Sequence, residues 1–168
     1  MMDDSIIPSY YVAREARKHL TVVLNGDAGD ELFAGYRRYV PFAQFDLFSG
    51  RGASVVKGLK SWLPAPSDKM NYYNYLYRLM NLFSTRGAAT YFSATNDLLQ
   101  EREDVFLTPV AMKELVDSIQ DIATLKISSL KRMLWLDFVN ILPAILLVKM
   151  DIATMAHSLE GRSPFLSK

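Results

Sequence analysis

The chain has 168 residues, with 19 basic and 18 acidic side chains and a net charge of +1. Half of the residues are hydrophobic, so length and composition predict one globular domain with a buried core. The nearly balanced charge argues against a nucleic-acid partner or an anionic membrane surface. We see neither an apolar run of the ~20 residues that a membrane span needs nor a signal-peptide pattern. Because there is no cysteine, disulfides and a cysteine nucleophile are excluded, and the cytoplasm is the expected compartment.

Apolar spacing predicts that most of the chain is helical. The expected helices cover residues 8–20, 31–48, 53–63, 68–83, 87–95, 109–120, 127–143 and 146–158. We expect Pro41 to kink or break the second of these and Pro143 to end the seventh. Residues 50–52 and 96–108 are expected to be loops. In the helix capped by Asp68, the spacing of five residues predicts a buried stripe: Tyr72, Tyr75, Leu76, Leu79 and Phe83.

Only one segment, Thr21 to Leu24, has the composition of a β-strand. A single strand of the parallel type cannot form a sheet by itself. We therefore expect its partners to come from residues outside this chain or from a second copy, as in a homodimer. The orphan strand also suggests a single partial domain, residues 1–168, that is truncated at both ends.

The turn after this strand carries the strongest chemical signal, because its glycines alternate with acids: Asn25-Gly26-Asp27-Ala28-Gly29-Asp30-Glu31. A strand, a tight turn and a helix N-terminus together point backbone N–H groups at phosphate. Carboxylates repel phosphate unless a cation lies between them, and Mg²⁺ combines one or two carboxylates with water and phosphate oxygens. The turn therefore predicts a metal-assisted polyphosphate site. The alternative is structural, with Asp30 as the helix N-cap and Glu31 in the first turn.

Near the C-terminus, charged residues interrupt a largely apolar helix and turn: Lys149, Asp151, Glu160 and Arg162. Charges in such surroundings are usually paired with one another or with a ligand. A structural pair such as Asp151 with Arg162 is the favoured interpretation, ahead of direct contact with a ligand.

The two segments together resemble the synthetase domain of the asparagine synthetase family. Residues 25–36 are similar to that family's Ser-Gly-(Glu/Asp)-Gly-Gly-Asp-Glu-Leu-Phe-Gly-Gly-Tyr segment. Residues 142–166 are similar to Leu-Pro-Asp-Asp-Leu-Leu-x-Lys-x-Asp-Arg-x-Ser-Met-Ala-x-Ser-Leu-Glu-x-Arg-x-Pro-Phe-Leu. The opening Asp4-Ser5-Ile6-Ile7-Pro8 also resembles the stretch that precedes the first motif there. Two long motifs in the right order are far more specific than a lone glycine pattern.

The resemblance implies a mainly α fragment of an α/β domain of the adenine-nucleotide α-hydrolase-like (ATP-pyrophosphatase) type. Such a domain uses ATP and Mg²⁺ to activate aspartate as β-aspartyl-AMP, which glutamine-derived ammonia then attacks. By this resemblance, Asp30 is a magnesium ligand near the pyrophosphate, and Asp27 is a catalytic acid that stabilises the adenylate or deprotonates the amine. The ATP and pyrophosphate contacts would come from Asn25, Gly26, Gly29 and Asp30. Five further residues would support these contacts without touching the ligand themselves: Glu31, Lys149, Asp151, Glu160 and Arg162.

The chain also departs from the family pattern. Asp27 stands where many members carry glutamate, and Ala28 and Ala34 replace frequent glycines, which we expect to be a mild change. Ile152 replaces a usual basic residue, and Gly161 is expected to loosen the turn before Arg162.

Two parts of the family's machinery are not found within these residues. The pyrophosphate loop, Ser-Gly-Gly-x-Asp-Ser, does not occur in the 168 residues, and there is no cysteine for glutamine cleavage. We therefore expect the chain alone to be inactive. Two alternatives stay open: a related acyl-adenylating amidotransferase, of the β-lactam synthetase or sugar-modifying kind, and a non-catalytic helical module that binds a partner protein.

Overall fold

A computed structural model describes residues 4–47, 53–64, 72–95, 116–117, 119–122 and 124–167. Its helices are α1 (Ile6–Arg17), α2 (Gly29–Phe33), α3 (Val40–Gln44), α4 (Ala53–Lys60), α5 (Tyr72–Ser84), α6 (Ala88–Thr95), α7 (Ser129–Leu136) and α8 (Leu147–Met155). A π-helix, Asp137–Leu146, joins α7 to α8, and 3₁₀ turns lie at Arg37–Tyr39 and Pro164–Leu166. The strands are β1 (Val22–Leu24) and β2 (Glu160–Arg162). The mainly helical composition is confirmed, whereas the ATP-pyrophosphatase type of fold stays a prediction.

The chain divides into two compact units. The first combines Met1–Tyr36 with Leu134–Lys168, and the second is Arg37–Met133. In the first unit, α8 packs against α1 and β2, and the π-helix contacts α2. In the second unit, α5 packs against α4 and α6. The candidate site lies entirely in the first unit.

The strand β1 has its partner within the chain. β2 pairs with it in parallel, with Val22 opposite Glu160, Val23 opposite Gly161 and Leu24 opposite Arg162. The expectation that β1 has no partner within the chain was therefore wrong, and Gly161 lies in a strand instead of a turn. The sequence concealed β2 because charged residues and glycine are depleted in strands. Leu24 is 73% exposed, and the homodimer stays a prediction.

Pro143 does not end a helix, contrary to the expectation from the sequence. It lies inside the π-helix, and the helical backbone continues through it from Ser129 to Met155. Proline lacks an N–H group, and its ring clashes with the carbonyl four residues earlier in an α-helix. In the wider π turn the hydrogen bonds join residues five apart instead of four, so the backbone can stay helical on both sides of the proline ring.

The same helix corrects the expectation about membrane spans. Ser129–Met155 is 27 residues long and apolar enough to cross a membrane by length and composition alone. Charged side chains such as Asp137 and Lys149 interrupt its apolar residues, which hid this length in the sequence. Core helices of globular proteins meet the same criterion when they are mostly buried, and in this helix 22% of the apolar window is buried. Here the helix contacts α1, α2 and β2 and carries the fully buried Asp137.

Three further expectations change in the helices before residue 96. In place of the single helix expected over residues 31–48, the structure has α2, the 3₁₀ turn at Arg37–Tyr39 and α3. Pro41 stands in the first turn of α3, where a missing N–H costs nothing. The predicted stripe of α5 is not buried: Tyr72, Tyr75 and Leu76 are exposed, and Leu79 and Phe83 are half-buried, whereas the buried residue of this helix is Leu82. The exposed rings of Tyr72 and Tyr75 stack on each other along this helix, with 6.3 Å between their centroids.

Parts of other sequence expectations lie outside the described residues. These are the loop at 50–52, the cap at Asp68, the connection at 96–108 and the start of the helix over 109–120. Residues 116–117 and 119–120 of that last helix are helical, as expected.

Two alanines on either side of α2 adopt left-handed backbone conformations. Ala28, at the N-cap position, has φ of 73°, and Ala34, at the C-cap position, has φ of 59°. For an L-residue with a Cβ this conformation costs roughly 1–2 kcal/mol. Both are positions at which the resembled family carries glycine, so the replacements place strain on the backbone at both ends of the short helix.

We predict that Ala34→Gly stabilises the protein. Glycine removes the left-handed penalty but adds freedom to the unfolded chain, so the net gain in unfolding free energy should be about 0.5–1 kcal/mol. The measurement is urea denaturation followed by circular dichroism.

Ala156→Gly is the matched control, because Ala156 is exposed and has a right-handed φ of −55°. It should lose about 0.5–1 kcal/mol. Equal destabilisation by the two substitutions would contradict the strain at Ala34.

Candidate functional site

The candidate site lies where the two parallel strands end. The backbone N–H of Asn25 donates to the Arg162 carbonyl at 2.9 Å, which extends the ladder one residue beyond β1. Carboxyl ends of parallel strands meet at one edge of a sheet, where ligands commonly bind. A pocket of about 200 Å³ opens at this edge. Its lining combines residues from the strand ends and α8: Asn25, Asp27, Leu147, Met150, Asp151, Thr154, Gly161 and Ser163.

Asn25 joins the two strand ends through its side chain. Ser163 Oγ donates to Asn25 Oδ1 at 2.6 Å, and the backbone N–H of Asp27 approaches the same oxygen at 3.4 Å. The short turn therefore folds back on the end of β1, and Asp27 is brought to the pocket wall.

Asp27 holds a carboxylate oxygen in an unusual environment. Its Oδ2 is buried, and none of the described residues donates a hydrogen bond to it. Burial raises the pKa of the Asp27 carboxyl, and the negative charge of Glu31 raises it further, while the positive charge of Lys149 opposes both. An acceptor without a donor is costly inside a protein, so this oxygen is suited to a ligand that supplies an N–H or O–H group.

Lys149 links α8 to the segment before α1. Its Nζ donates to Ser5 Oγ at 2.8 Å. Ser5 belongs to the opening stretch that the family resemblance includes, so this contact gives that stretch a structural role. The positive charge of Lys149 also lowers the pKa of Asp27, against the larger effect of burial.

The expected pair of Asp151 with Arg162 does not form. Arg162 Nε instead donates to Glu160 Oε1 at 2.7 Å, and both side chains are more than half exposed. The parallel pairing sets this arrangement, because residues 160 and 162 lie on the same side of a strand. Asp151 remains at the pocket, whereas Glu160 and Arg162 are outside its lining.

Glu31 and Asp30, although adjacent, have opposite environments. Glu31 is only 2% exposed and accepts a hydrogen bond from Tyr36 Oη at 2.8 Å. Asp30 is exposed, and its carboxylate lies against the Cα of Gly35. The N-cap interpretation of Asp30 was wrong, because α2 begins at Gly29 and Ala28 occupies the cap position.

The pocket therefore gathers part of the predicted set. Asn25, Asp27 and Asp151 line it, whereas Gly26, Gly29 and Asp30 do not. Gly29 instead lies beside the Phe165 ring, and a Cβ there would be 3.6 Å from it. The roles predicted for all these residues stay predictions.

Magnesium can be considered from the donors that are present. Across the described ranges, no three His, Cys, Asp or Glu side chains are grouped to hold a metal ion. Mg²⁺ does not require such a group, because it takes one or two carboxylates and completes its shell with water and phosphate. The exposed carboxylate of Asp30 fits that chemistry in the presence of a bound polyphosphate.

Sequence reasoning missed several pocket residues. Ser163 and Thr154 supply hydroxyl groups, and Leu147 and Met150 supply an apolar wall. Ser163 could have been found from its position, one residue after a strand end, but only if Glu160–Arg162 had been recognised as a strand. Thr154 is buried and donates to the Met150 carbonyl at 2.8 Å.

We predict that Asp27→Asn stabilises the protein at neutral pH and has less effect near pH 3. In the folded protein the pKa of Asp27 lies above its ordinary value of 3.8. Protonation of this carboxyl therefore stabilises the folded state, and this contribution to stability is complete below about pH 3.8. This stability is lost as the pH rises through the folded pKa. The asparagine variant does not titrate, so its melting temperature relative to wild type should increase across that interval.

Thermal unfolding from pH 3 to pH 8 measures the difference. Asp151→Asn is the matched control at the same pocket, since its side chain is exposed and its replacement should change little. A melting temperature for Asp27→Asn that falls below wild type at neutral pH would contradict the prediction.

Comparison with known proteins gives one family. The sequence model of the asparagine synthase family matches residues 1–168. Asparagine synthetase (glutamine-hydrolysing) 1 of Bacillus subtilis is 31% identical over 172 residues, which cover 100% of this chain and 26% of that protein. A putative asparagine synthetase of Mycobacterium tuberculosis strain H37Rv is 33% identical over 174 residues, covering 98% of this chain and 25% of that protein. No solved structure matches the chain.

These matches also fix the extent of the similarity. The chain spans about a quarter of the length of the curated relatives that it matches. The turn at residues 25–36, the segment at residues 142–166 and the pocket between them all lie within the matched part. The chain belongs to the asparagine synthase family.

Proposed function

We propose that this chain forms part of the synthetase site of an ATP-dependent, glutamine-hydrolysing asparagine synthetase. In this reaction the β-carboxylate of aspartate attacks the α-phosphorus of ATP, and pyrophosphate leaves. Ammonia derived from glutamine then attacks the acyl carbon of β-aspartyl-AMP, and AMP leaves with the electron pair. Support comes from the family and from relatives that are named asparagine synthetases.

The observation that carries the proposal is the buried, unpartnered carboxylate oxygen of Asp27. This oxygen stands at the strand edge beside a pocket and lacks a donor. An attacking amine supplies N–H donors and must lose a proton as the C–N bond forms. Because burial raises its pKa, the Asp27 carboxylate is a better base than an ordinary aspartate. Asp27 would therefore accept the hydrogen bond first and the proton afterwards.

The other acids of the turn act differently. When bound with ATP, Mg²⁺ neutralises phosphate charge and favours the departure of pyrophosphate. Asp30, exposed on the first turn of α2, is the residue that would hold this ion. Glu31 is buried against Tyr36 Oη, so it would act from behind by fixing the first turn and adding negative charge. The positive charge of Lys149 would partly offset the negative charge of Glu31 near Asp27.

Part of the site must be supplied by other residues of the assembled enzyme. The 168 residues contain neither the pyrophosphate loop nor a cysteine for glutamine cleavage. In this proposal ATP, Mg²⁺, aspartate and ammonia meet where those residues join the pocket, and the enzyme works in the cytoplasm.

We predict that the chain alone releases no pyrophosphate from ATP, Mg²⁺, aspartate and ammonia above a blank without enzyme. A chimera, in which these 168 residues replace the matching segment of the Bacillus subtilis relative, should release pyrophosphate and form asparagine. The measurement is coupled pyrophosphate detection, with asparagine quantified by mass spectrometry. The unaltered relative is the control for assay conditions.

Either of two results would overturn the proposal. The first is turnover by the chain alone. The second is a chimera that is folded by circular dichroism yet forms no asparagine. Substitution of aspartate by other carboxylic acids in the same assay separates an asparagine synthetase from an acyl-adenylating enzyme with a different acceptor.

We predict that Asp30→Asn in this chimera raises the Mg²⁺ requirement and slows adenylation by about tenfold or more, or ~1.4 kcal/mol of transition-state energy. Asparagine keeps the shape of the side chain but removes the charge that attracts the ion. Asp27→Asn is the comparison, since it should leave Mg²⁺ dependence intact and slow the acyl step. Identical Mg²⁺ titration curves for wild type and Asp30→Asn would show that the two roles are wrongly assigned.

A further inference from the structure

We propose that Asn25 and Ser163 form a positioning pair that holds the Asp27 turn against the end of β2. The proposal goes beyond the nucleotide contact that the sequence predicts for Asn25, and it assigns a role to Ser163, which the sequence did not single out. It rests on the proposed function only for the use of Asp27 in the reaction. The geometry of the pair stands without it.

Three hydrogen bonds define the pair. Asn25 donates its backbone N–H to the Arg162 carbonyl at 2.9 Å, and Ser163 Oγ donates to Asn25 Oδ1 at 2.6 Å. The backbone N–H of Asp27 approaches the same Oδ1 at 3.4 Å. Asn25 thus contacts the end of β2 through its main chain and Ser163 through its side chain. The side-chain bond joins residues that are 138 positions apart in sequence.

The orientation of the amide follows from its neighbours. A backbone N–H can only donate, so the Asn25 atom that faces Asp27 must be the carbonyl oxygen and not the nitrogen. Nδ2 then lies on the side of Gly161, at 3.6 Å from the position of a Cβ on that residue. The oxygen is thus engaged by Ser163 and the Asp27 backbone, and Nδ2 lies toward Gly161, which also lines the pocket.

The side chain at position 25 determines whether this pair can form. The resembled family carries serine there, and a serine side chain is one bond shorter than the asparagine carbonyl. In this chain the longer amide spans the distance to Ser163 Oγ. Asn25 and Ser163 are therefore expected to act as a unit, because removal of either side chain breaks the same hydrogen bond.

The consequence for Asp27 follows from burial. Asp27 Oδ2 is buried, and in this proposal the hydrogen bonds that hold the turn close to the strand ends keep it so. If the pair is broken, the turn can move outward and water can reach the carboxylate. The carboxyl should then titrate closer to an ordinary aspartate, since the desolvation that perturbs it is lost.

The test follows the Asp27 carboxyl carbon by NMR in the ¹³C-aspartate-labelled full chain, from pH 2 to pH 8 and without ATP. Asn25→Ala and Ser163→Ala should each lower its titration midpoint, and the double variant should lower it no further than the larger single effect. Ser163→Thr keeps the hydroxyl and should retain the wild-type midpoint.

Asn140→Ala is the matched control for a purely structural loss. Asn140 is also a half-buried asparagine of the first unit, and its Nδ2 donates to the Leu136 carbonyl at 2.9 Å, away from the pocket. This variant should lower the melting temperature without moving the Asp27 midpoint.

An unchanged midpoint in folded Ser163→Ala, or additive shifts in the double variant, would overturn the proposal. Ser163→Ala removes a single hydroxyl, so it keeps the test decisive even where Asn25→Ala fails to fold. Pyrophosphate release by the chimera is measured separately. Failure of the proposed synthetase reaction therefore leaves the NMR result intact, and the reverse also holds.

Discussion

The parallel pairing of β1 with β2 is the interaction on which the site depends. It is short, with three residues on each strand, yet it brings the turn at Asn25 beside the segment at Ser163. Parallel strands require a long connection, and here that connection contains the whole second unit. The pocket exists because both strands end at the same edge and α8 packs against β2 there. Without this pairing, Asp27 and Asp151 would belong to unrelated parts of the chain.

Charge is distributed over this edge in a graded way. Glu31 is buried and bonded to Tyr36, Asp27 is half-buried with one oxygen unpartnered, and Asp30 is exposed. Three carboxylates within five residues thus meet three different environments. Lys149 provides the opposing charge from α8. The arrangement lets neighbouring acids differ in burial, in hydrogen bonding and in access to cations, although the residue types are nearly the same.

The order of strand, turn and helix around residues 22–33 could be predicted because its signal is local. Glycines and acids between an apolar strand and a helix are recognisable within a short window, so this turn could be singled out from its neighbours, and Asp27 does line the pocket. Asn25, which also lines it, was proposed only through the family resemblance, and the roles of both residues stay predictions. The expected helices also largely exist, since their apolar spacing is local too. β2 could not be predicted, because Glu160-Gly161-Arg162 becomes a strand only through a partner far away in sequence. The continuation of the helix through Pro143 could not be predicted either, because it depends on a π turn that apolar spacing does not encode.

The pair Ala34-Gly35 separates two physical demands that a Gly-Gly pair would meet together. At position 34 the demand is conformational, because φ is 59°, and alanine meets it at the expense of backbone strain. At position 35 the demand is spatial, because a Cβ there would overlap the Asp30 carboxylate. A methyl group at position 34 therefore changes only the energy of the turn. A methyl group at position 35 would redirect the side chain of Asp30, so this glycine controls where the exposed carboxylate of α2 points.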